Sequence, residues 1–281
     1  MMTRPRWFIE LLKKSFGSRF LLAKLTRVPG LRYIIDKLVF EDDLIFYLPN
    51  KEVIEKATTR NIKIGKTIPQ SEDIVIPTQI IDKFIEEAEH LWVMDFCLCR
   101  ESTNCEDYSS KLGCLFMGEA VLQIDPSYGK LVTKEEAKAH IKRCQEAGLI
   151  QLIGRNKLDK QWLDVKPGHK LLTICNCCEC CCLWKMLPDL DIKISRNFMK
   201  MPGLNVRIND ECTGCGDCTQ SICFVNAITL QGEKTVIDEE TCRACGRCIS
   251  ICKQEAIQMI IQDPDFIKES LEKISSAVDV N

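Results

Sequence analysis

The chain has 281 residues, 46% of them hydrophobic, a formal net charge of −2 and 19 cysteines. That length holds two modest domains, or one domain and a small module. A pI near 6.0 with no recognition motif argues against nucleic acid as a partner, and no apolar run approaches the ~20 residues of a membrane-spanning helix.

The start, MMTRPRWFIELLKKSFGSRF, interrupts every apolar stretch with charge, unlike a secretory signal. The expectation is a cytoplasmic protein with reduced thiols. In that setting cysteine clusters bind metal or carry redox chemistry rather than form disulfides. Residues 1–40 hold nine Lys/Arg and two acids, +7, which leaves −9 for the rest. Residues 1–50 therefore read as a basic amphipathic helical segment. Either it makes peripheral contact with a membrane surface or an acidic partner through residues 1–40, or it is an ordinary solvated helix face.

Residues 51–200 read as a mainly helical, cysteine-rich α/β domain. Apolar residues at Ile80, Ile81, Phe84, Ile85, Ala88 and Leu91 predict a helix over 79–96. His90 lies on it and is read as structural. The helix leads into CLCRESTNC, with Cys97, Cys99 and Cys105, and GCLFMGEAV, with Cys114. Thr133 and Glu136 then form a capping box, with Gly148 as the stop. Ala137, Ile141 and Cys144 share a face of that helix, so Cys144 is read as a core residue and His140 as structural. The Ile/Leu pattern of 149–177 fits strands or a small hairpin. His169, alone after the Pro167–Gly168 turn, is not read as a ligand.

That hairpin enters CNCCECCC, residues 175–182. No packing requirement asks for six cysteines in eight residues. Neighbouring side chains diverge, so only about half can converge on one metal. If the stretch is helical, Cys177, Cys178 and Cys181 share a face, as do Cys178 and Cys182. Cys97, Cys99, Cys105 and Cys114 form a second candidate tetrad. The two groups can also combine around one cluster, including a non-cubane one. A single zinc and a redox-active dithiol are the alternatives. Arg100 either stabilises thiolate charge there or is solvated.

From Cys212 the chain reads Cys212-x2-Cys215-x2-Cys218-x4-Cys223, then Ala227-Ile228. Thirty residues on it repeats as Cys242-x2-Cys245-x2-Cys248-x3-Cys252, then Ala256-Ile257. Three thiolates in seven residues can curl a loop around three corners of a cubane, and the fourth corner comes from further away. Zinc prefers Cys-x2-Cys pairs set well apart. Gly214, Gly216 and Gly246 allow positive φ and leave amides near sulfide. Short apolar pieces before and after each run predict strand, cluster loop, short helix, strand.

Residues 204–262 closely resemble the bacterial two-cluster ferredoxin module. The resemblance implies two [4Fe-4S] clusters in which the fourth cysteine of each run serves the other cluster. Cys212, Cys215, Cys218 and Cys252 then hold one cluster, and Cys242, Cys245, Cys248 and Cys223 the other. Two departures stand out: Phe224 and Lys253 replace the usual proline, and the first run has x4 for x3. Less specifically, residues 75–190 look like a domain found beside dicluster ferredoxins in strict anaerobes. That likeness implies an additional iron–sulfur or metal site without assigning its cysteines; the residues themselves offer Cys97, Cys99, Cys105, Cys114, Cys177, Cys178 and Cys181, for an iron–sulfur cluster or for zinc.

The expected fold class is α+β. A ferredoxin-like pseudo-two-fold module at 201–262 follows the cysteine-rich domain, and 263–281 form a helical tail. No dinucleotide or Walker motif is present, so nothing indicates a flavin or nicotinamide. The expected function is low-potential electron transfer to or from a partner redox enzyme or other carrier in an anaerobe. The alternatives are an iron–sulfur reductase with its own substrate site in the cysteine-rich domain, and a zinc scaffold bearing a ferredoxin. Asp210, Glu211, Asp217, Asp238, Glu239 and Glu240, close to the runs, would lower the cluster potentials, dock a basic partner or simply be solvated.

Overall fold

The computed structural model describes residues 4, 6–63, 77–263 and 266–281. Residues 1–3 and 5 of the basic start, and 64–76 of the cysteine-rich region, lie outside the described residues. Eleven strands run in chain order: β1 Leu44–Tyr47, β2 Leu91–Met94, β3 Leu115–Met117, β4 Gly129–Leu131, β5 Ile150–Arg155, β6 Leu172–Cys177, β7 Phe198–Lys200, β8 Leu204–Ile208, β9 Ile228–Gln231, β10 Lys234–Ile237 and β11 Ile257–Ile261.

The first seven form one sheet in the order β4-β2-β3-β6-β5-β1-β7. Its pairings are antiparallel except β1 with β7. The cysteine-rich region thus mixes helices with a sheet that they cover. β1, β2 and β3 are buried on nearly every residue. A strand covered on both faces needs apolar residues throughout, so it lacks the alternation that marks a half-exposed one. The same cause corrects the helix expected over 79–96. It runs Pro77–Glu87, and Leu91–Met94 instead pair with β3 and β4. His90 is half-buried in the link between them.

The pleat sends successive side chains to opposite faces. Phe46, Val93, Leu115, Met117, Ile153 and Ile174 enter one core, where helices Lys51–Lys63, Pro77–Glu87, Lys134–Glu146 and Phe266–Ala277 cover the sheet. Ile45, Tyr47 and Leu152 turn the other way, toward Trp184 and Phe198, and Trp92, Met94 and Phe116 toward Trp162. The helix Lys134–Glu146 begins with the expected capping box of Thr133 and Glu136, and Gly148 leaves it at φ 79°. His140 and Cys144 are buried on it. The His140 Nε2 lies 2.9 Å from the Gly113 carbonyl oxygen, a structural contact.

At the C-terminal end β8 pairs with β11, and β9 with β10, both antiparallel. The four short apolar pieces flanking the cysteine runs are these strands. β8 and β11 add Leu204, Val206, Ile257 and Met259 to the core that holds Val53, Ile54 and Ile80. The C-terminal module therefore shares its apolar core with the sheet.

One buried carboxylate gives this fold a pH signature. Asp43, at the start of β1, is 4% exposed and accepts a hydrogen bond from the Lys157 amide at 2.7 Å. Its second oxygen, Oδ2, is buried without a partner. Burial pushes its pKa up to about 8, with Asp159 adding repulsion and Lys157 and Arg155 opposing. The folded chain therefore holds a proton that the unfolded chain loses near pH 4, and stability falls as pH rises from about 4 to 8. Asp43→Asn keeps the acceptor for Lys157 and removes this slope. Thermal midpoints between pH 6 and 8 are expected to decline less in Asp43→Asn than in the native chain, and equal declines would rule the assignment out.

Candidate functional site

The two C-terminal runs form loops between paired strands. Gly214 and Gly216 sit at φ 66° and 80°, and Gly246 at 80°. A Cβ on Gly214 would lie 2.1 Å from the Glu233 oxygen, so only glycine lets the first loop approach the β9–β10 turn. Backbone amides point at sulfur: Ala227 N lies 3.3 Å from Cys223 Sγ, and Ala244 N lies 3.4 Å from Cys242 Sγ. One apolar cavity is lined by Cys242, Cys245 and Cys248 of the second run together with Cys223 of the first. Reciprocally, Cys218 feels the charges of Cys215 and of Cys252, from the second run. Burial pushes the Cys245 thiol up to about 12, while Cys215 is exposed to solvent.

A second constellation lies where β6 ends. The chain reverses after Cys177, and the Cys182 amide donates to the Cys178 carbonyl at 3.3 Å. The turn gathers Cys178, Cys180 and Cys181 against Cys105, and the four sulfurs lie within 4.8 Å of one another. Cys105 and Cys180 Sγ are 3.5 Å apart. Four convergent thiols suit either a tetrahedral metal or one cubane. Glu179, inside the turn, accepts from Arg247 Nη2 at 2.6 Å and from the Tyr108 hydroxyl at 3.0 Å. Arg247 follows Cys245-Gly246, so this bridge ties the tetrad to the second C-terminal run.

Residues 204–253 match the model of the 4Fe-4S dicluster domain. Ferredoxin-3 of Chlorobaculum tepidum is 35% identical over 60 residues, 19% of this chain and 95% of that protein. The chain belongs to the dicluster 4Fe-4S ferredoxin family. A ferredoxin-like protein in the vnf region of Azotobacter chroococcum is 43% identical over 47 residues, 15% of this chain and 71% of that protein. One component of an ion-translocating oxidoreductase complex of Methanosarcina acetivorans is 42% identical over 48 residues, 17% of this chain and 18% of that component. The matched stretch is thus most of the small ferredoxins but under a fifth of the oxidoreductase component. No solved structure matches this chain.

Outside the ferredoxin module, the expected thiols divide. Cys105, Cys178 and Cys181 belong to the convergent tetrad, and Cys180 joins them. Residues 175–177 are strand and 178–182 a turn, so the helical face expected for Cys177, Cys178 and Cys181 does not form. In a strand Cys175 and Cys177 share a face. Their register opposite Leu152 and Ile150 points them at the Tyr47–Trp184 core. Cys114 Sγ is 3.8 Å from Cys175 Sγ, and Cys177 contacts Cys175 and Cys182. The Cys97–Cys99 hydrogen bond splits that pair: Cys97 drops to about 6, against the effect of burial, while Cys99 rises well above the thiol range.

Arg100 is not solvated. It is 1% exposed and donates to the carbonyl oxygens of Ser109 (3.0 Å), Asn176 (2.9 Å) and Leu112. Burial works against its charge, but the negative charge available at Cys97, Cys178 and Cys177 and a hydrogen bond to Cys178 outweigh it and raise its pKa. Cys175 and Cys180 were not singled out as ligands by sequence reasoning. Period-two alternation along TICNC was the signal that could have paired Cys175 with Cys177.

Proposed function

We propose that this iron–sulfur electron-transfer protein carries two [4Fe-4S] clusters in a pseudo-two-fold module at 201–262 and a third metal centre at Cys105, Cys178, Cys180 and Cys181. In this reading Cys212, Cys215, Cys218 and Cys252 hold one cluster, and Cys242, Cys245, Cys248 and Cys223 the other. The observation that carries it is the cavity in which Cys223 joins the three cysteines of the opposite run. The cluster near exposed Cys215 meets the partner redox enzyme or carrier. The cluster at Cys245 passes electrons toward the tetrad across the Arg247–Glu179 bridge. When bound, the cubanes supply one-electron chemistry. The chain supplies thiolates, amides aimed at sulfur and apolar shielding, which tune the potential. The basic N-terminal helices, with Trp7 and Tyr33 exposed, serve as the partner-docking face.

Full ligation by four cysteines leaves the tetrad no open position, which disfavours a reductase working there. Among the described residues no helix is long and apolar enough to cross a membrane. The test is metal content and a redox titration followed by electron paramagnetic resonance on anaerobically purified chain. At least about twelve irons are expected, about four to a cubane, with Cys105→Ser/Cys180→Ser removing about four. Loss of one zinc from that variant instead would hand the tetrad to zinc. Fewer than about eight irons in the native chain, or no pair of interacting cubane signals, would defeat the reading.

A further inference from the structure

Six cysteines of the sheet region remain outside the tetrad and apart from Cys144: Cys97, Cys99, Cys114, Cys175, Cys177 and Cys182. They lie against one another. Cys114 and Cys175, just ahead of and within the paired strands β3 and β6, are 3.8 Å apart. Cys175 meets Cys177, and Cys177 meets Cys182. Cys99 faces Cys177 and Cys182 and is hydrogen-bonded to Cys97, while Cys97 faces Cys114. Thiol-to-thiol contacts thus run Cys114–Cys175–Cys177–Cys182 and Cys97–Cys99, and the two strings lie within each other's electrostatic reach. Cys97, Cys177 and Cys182 are buried, and the other three are half-buried.

This group is separate from the tetrad for a geometric reason. Cys177 and Cys178 are chain neighbours, as are Cys181 and Cys182, yet the members of each pair pack into different apolar clusters. Cys178 and Cys181 turn to the tetrad, with Leu149 and Cys144 behind them. Cys177 and Cys182 turn to the core of Tyr47 and Trp184. The guanidinium of Arg100 interacts with both groups, electrostatically with Cys97 and Cys177 and through a hydrogen bond with Cys178. CNCCECCC therefore serves two places, with Cys175, Cys177 and Cys182 facing one and Cys178, Cys180 and Cys181 the other.

We infer that Cys97, Cys99, Cys114, Cys175, Cys177 and Cys182 form a second metal site of the sheet region, holding a polynuclear iron–sulfur cluster distinct from that of the tetrad. Thiol number and spread choose the chemistry. Zinc takes four ligands at a tetrahedral site, whereas six thiols stand here. The tetrad is the set whose sulfurs all lie within 4.8 Å among the described residues, so these six are spread more widely. A wider group of soft thiolates suits several irons bridged by sulfide. Such a group concentrates negative charge, and buried charge must be compensated. Two arginines meet that need. Arg100, 1% exposed, interacts electrostatically with Cys97 and Cys177. Arg19, held over the rings of Phe16 and Phe20 at 4.1 and 4.3 Å, faces Cys99 and Cys182 and keeps a buried Nε without a hydrogen-bond partner.

The group also adjoins the ferredoxin module. Tyr47 is 0% exposed, and its hydroxyl has no hydrogen-bond partner. It packs in one core with Cys177, Cys182 and Cys245, and its ring lies 5.9 Å from that of Phe224. One aromatic side chain thus adjoins both the six thiols and a cysteine of the second ferredoxin run. The inference stands whether the tetrad holds iron or zinc.

The test compares the full-length native chain, Cys114→Ser/Cys175→Ser, Cys105→Ser/Cys180→Ser and the quadruple variant. All are purified anaerobically and assayed for iron, zinc and acid-labile sulfide, with Mössbauer spectra after ⁵⁷Fe enrichment. The Cys114→Ser/Cys175→Ser variant is expected to lose about four irons or more, with matching sulfide. The tetrad variant loses its own complement, the two losses add in the quadruple variant, and the ferredoxin-module resonances persist in all. The inference is overturned if Cys114→Ser/Cys175→Ser keeps native iron and sulfide, or if it loses zinc instead. It is equally overturned if the quadruple variant loses no more than either double variant, which would mean one shared cluster. Should the variants fail to fold, the native chain decides. Iron beyond that of the two ferredoxin cubanes and the tetrad supports the second site, and no excess refutes it. Failure of the ferredoxin reading shows separately, as loss of the interacting cubane signals in the native chain.

Discussion

Serine in place of Cys223 is expected to empty the site of Cys242, Cys245 and Cys248 while leaving that of Cys212, Cys215 and Cys218 filled. Cys223 is near the first run in sequence but lines the cavity of the second. A hydroxyl is a harder, more weakly acidic ligand than a thiol, so the cubane loses one corner and about four irons go with it. Combination with a second substitution reveals the partner. Cys223→Ser/Cys242→Ser should lose the same four or so irons as Cys223→Ser alone, because both residues serve one site. Cys223→Ser/Cys212→Ser should lose about eight, because two sites are broken. The reverse pattern would place Cys223 with its own run and undo the crossed arrangement.

Arg247→Met is expected to lower the thermal midpoint by roughly 6 °C. Arg247 holds Glu179 at 2.6 Å, donates to the Gly148 oxygen at 2.6 Å, and reaches the Tyr108 hydroxyl. The side chains of Arg247 and Glu179 are only 14% and 16% exposed. Removing one partner of such a pair leaves the other charge largely desolvated, a loss of about 2–4 kcal/mol. Arg247→Met/Glu179→Met removes both charges and should recover much of that loss. A shift under 2 °C for Arg247→Met, with no recovery in the double variant, would mean that the bridge does not hold the two regions together.

The ferredoxin module was legible because its chemistry is local. Three ligands fall within seven residues, the loop glycines sit among them, and β8 to β11 flank the runs as short apolar pieces. The capping box at Thr133 and the buried face of Ala137, Ile141 and Cys144 were readable for the same reason. The sheet was not, because Leu91–Met94 and Leu115–Met117 are covered on both faces, and such strands carry no alternation to separate them from a buried helix. The grouping of the middle thiols depends on strand register. Cys114 meets Cys175 only because β3 lies beside β6, and Cys105 meets Cys180 only because the chain reverses after Cys177. Arg100 was undecided in the sequence because nothing local shows that three distant carbonyl oxygens surround its guanidinium.

The small ferredoxins that this chain resembles are little longer than the matched module, whereas here Leu204, Val206, Ile257 and Met259 lie in the same apolar core as Val53 and Ile80. Under the proposed two-cubane reading, maturation of this chain would be linked to the supply of iron and sulfide. Until the C-terminal loops closed around their cubanes, β8 and β11 would be poorly fixed, and the helices over the sheet would lack one wall of their packing. A chain made under iron limitation would present that open wall to proteases, so its lifetime in the cell would report whether its metal had arrived.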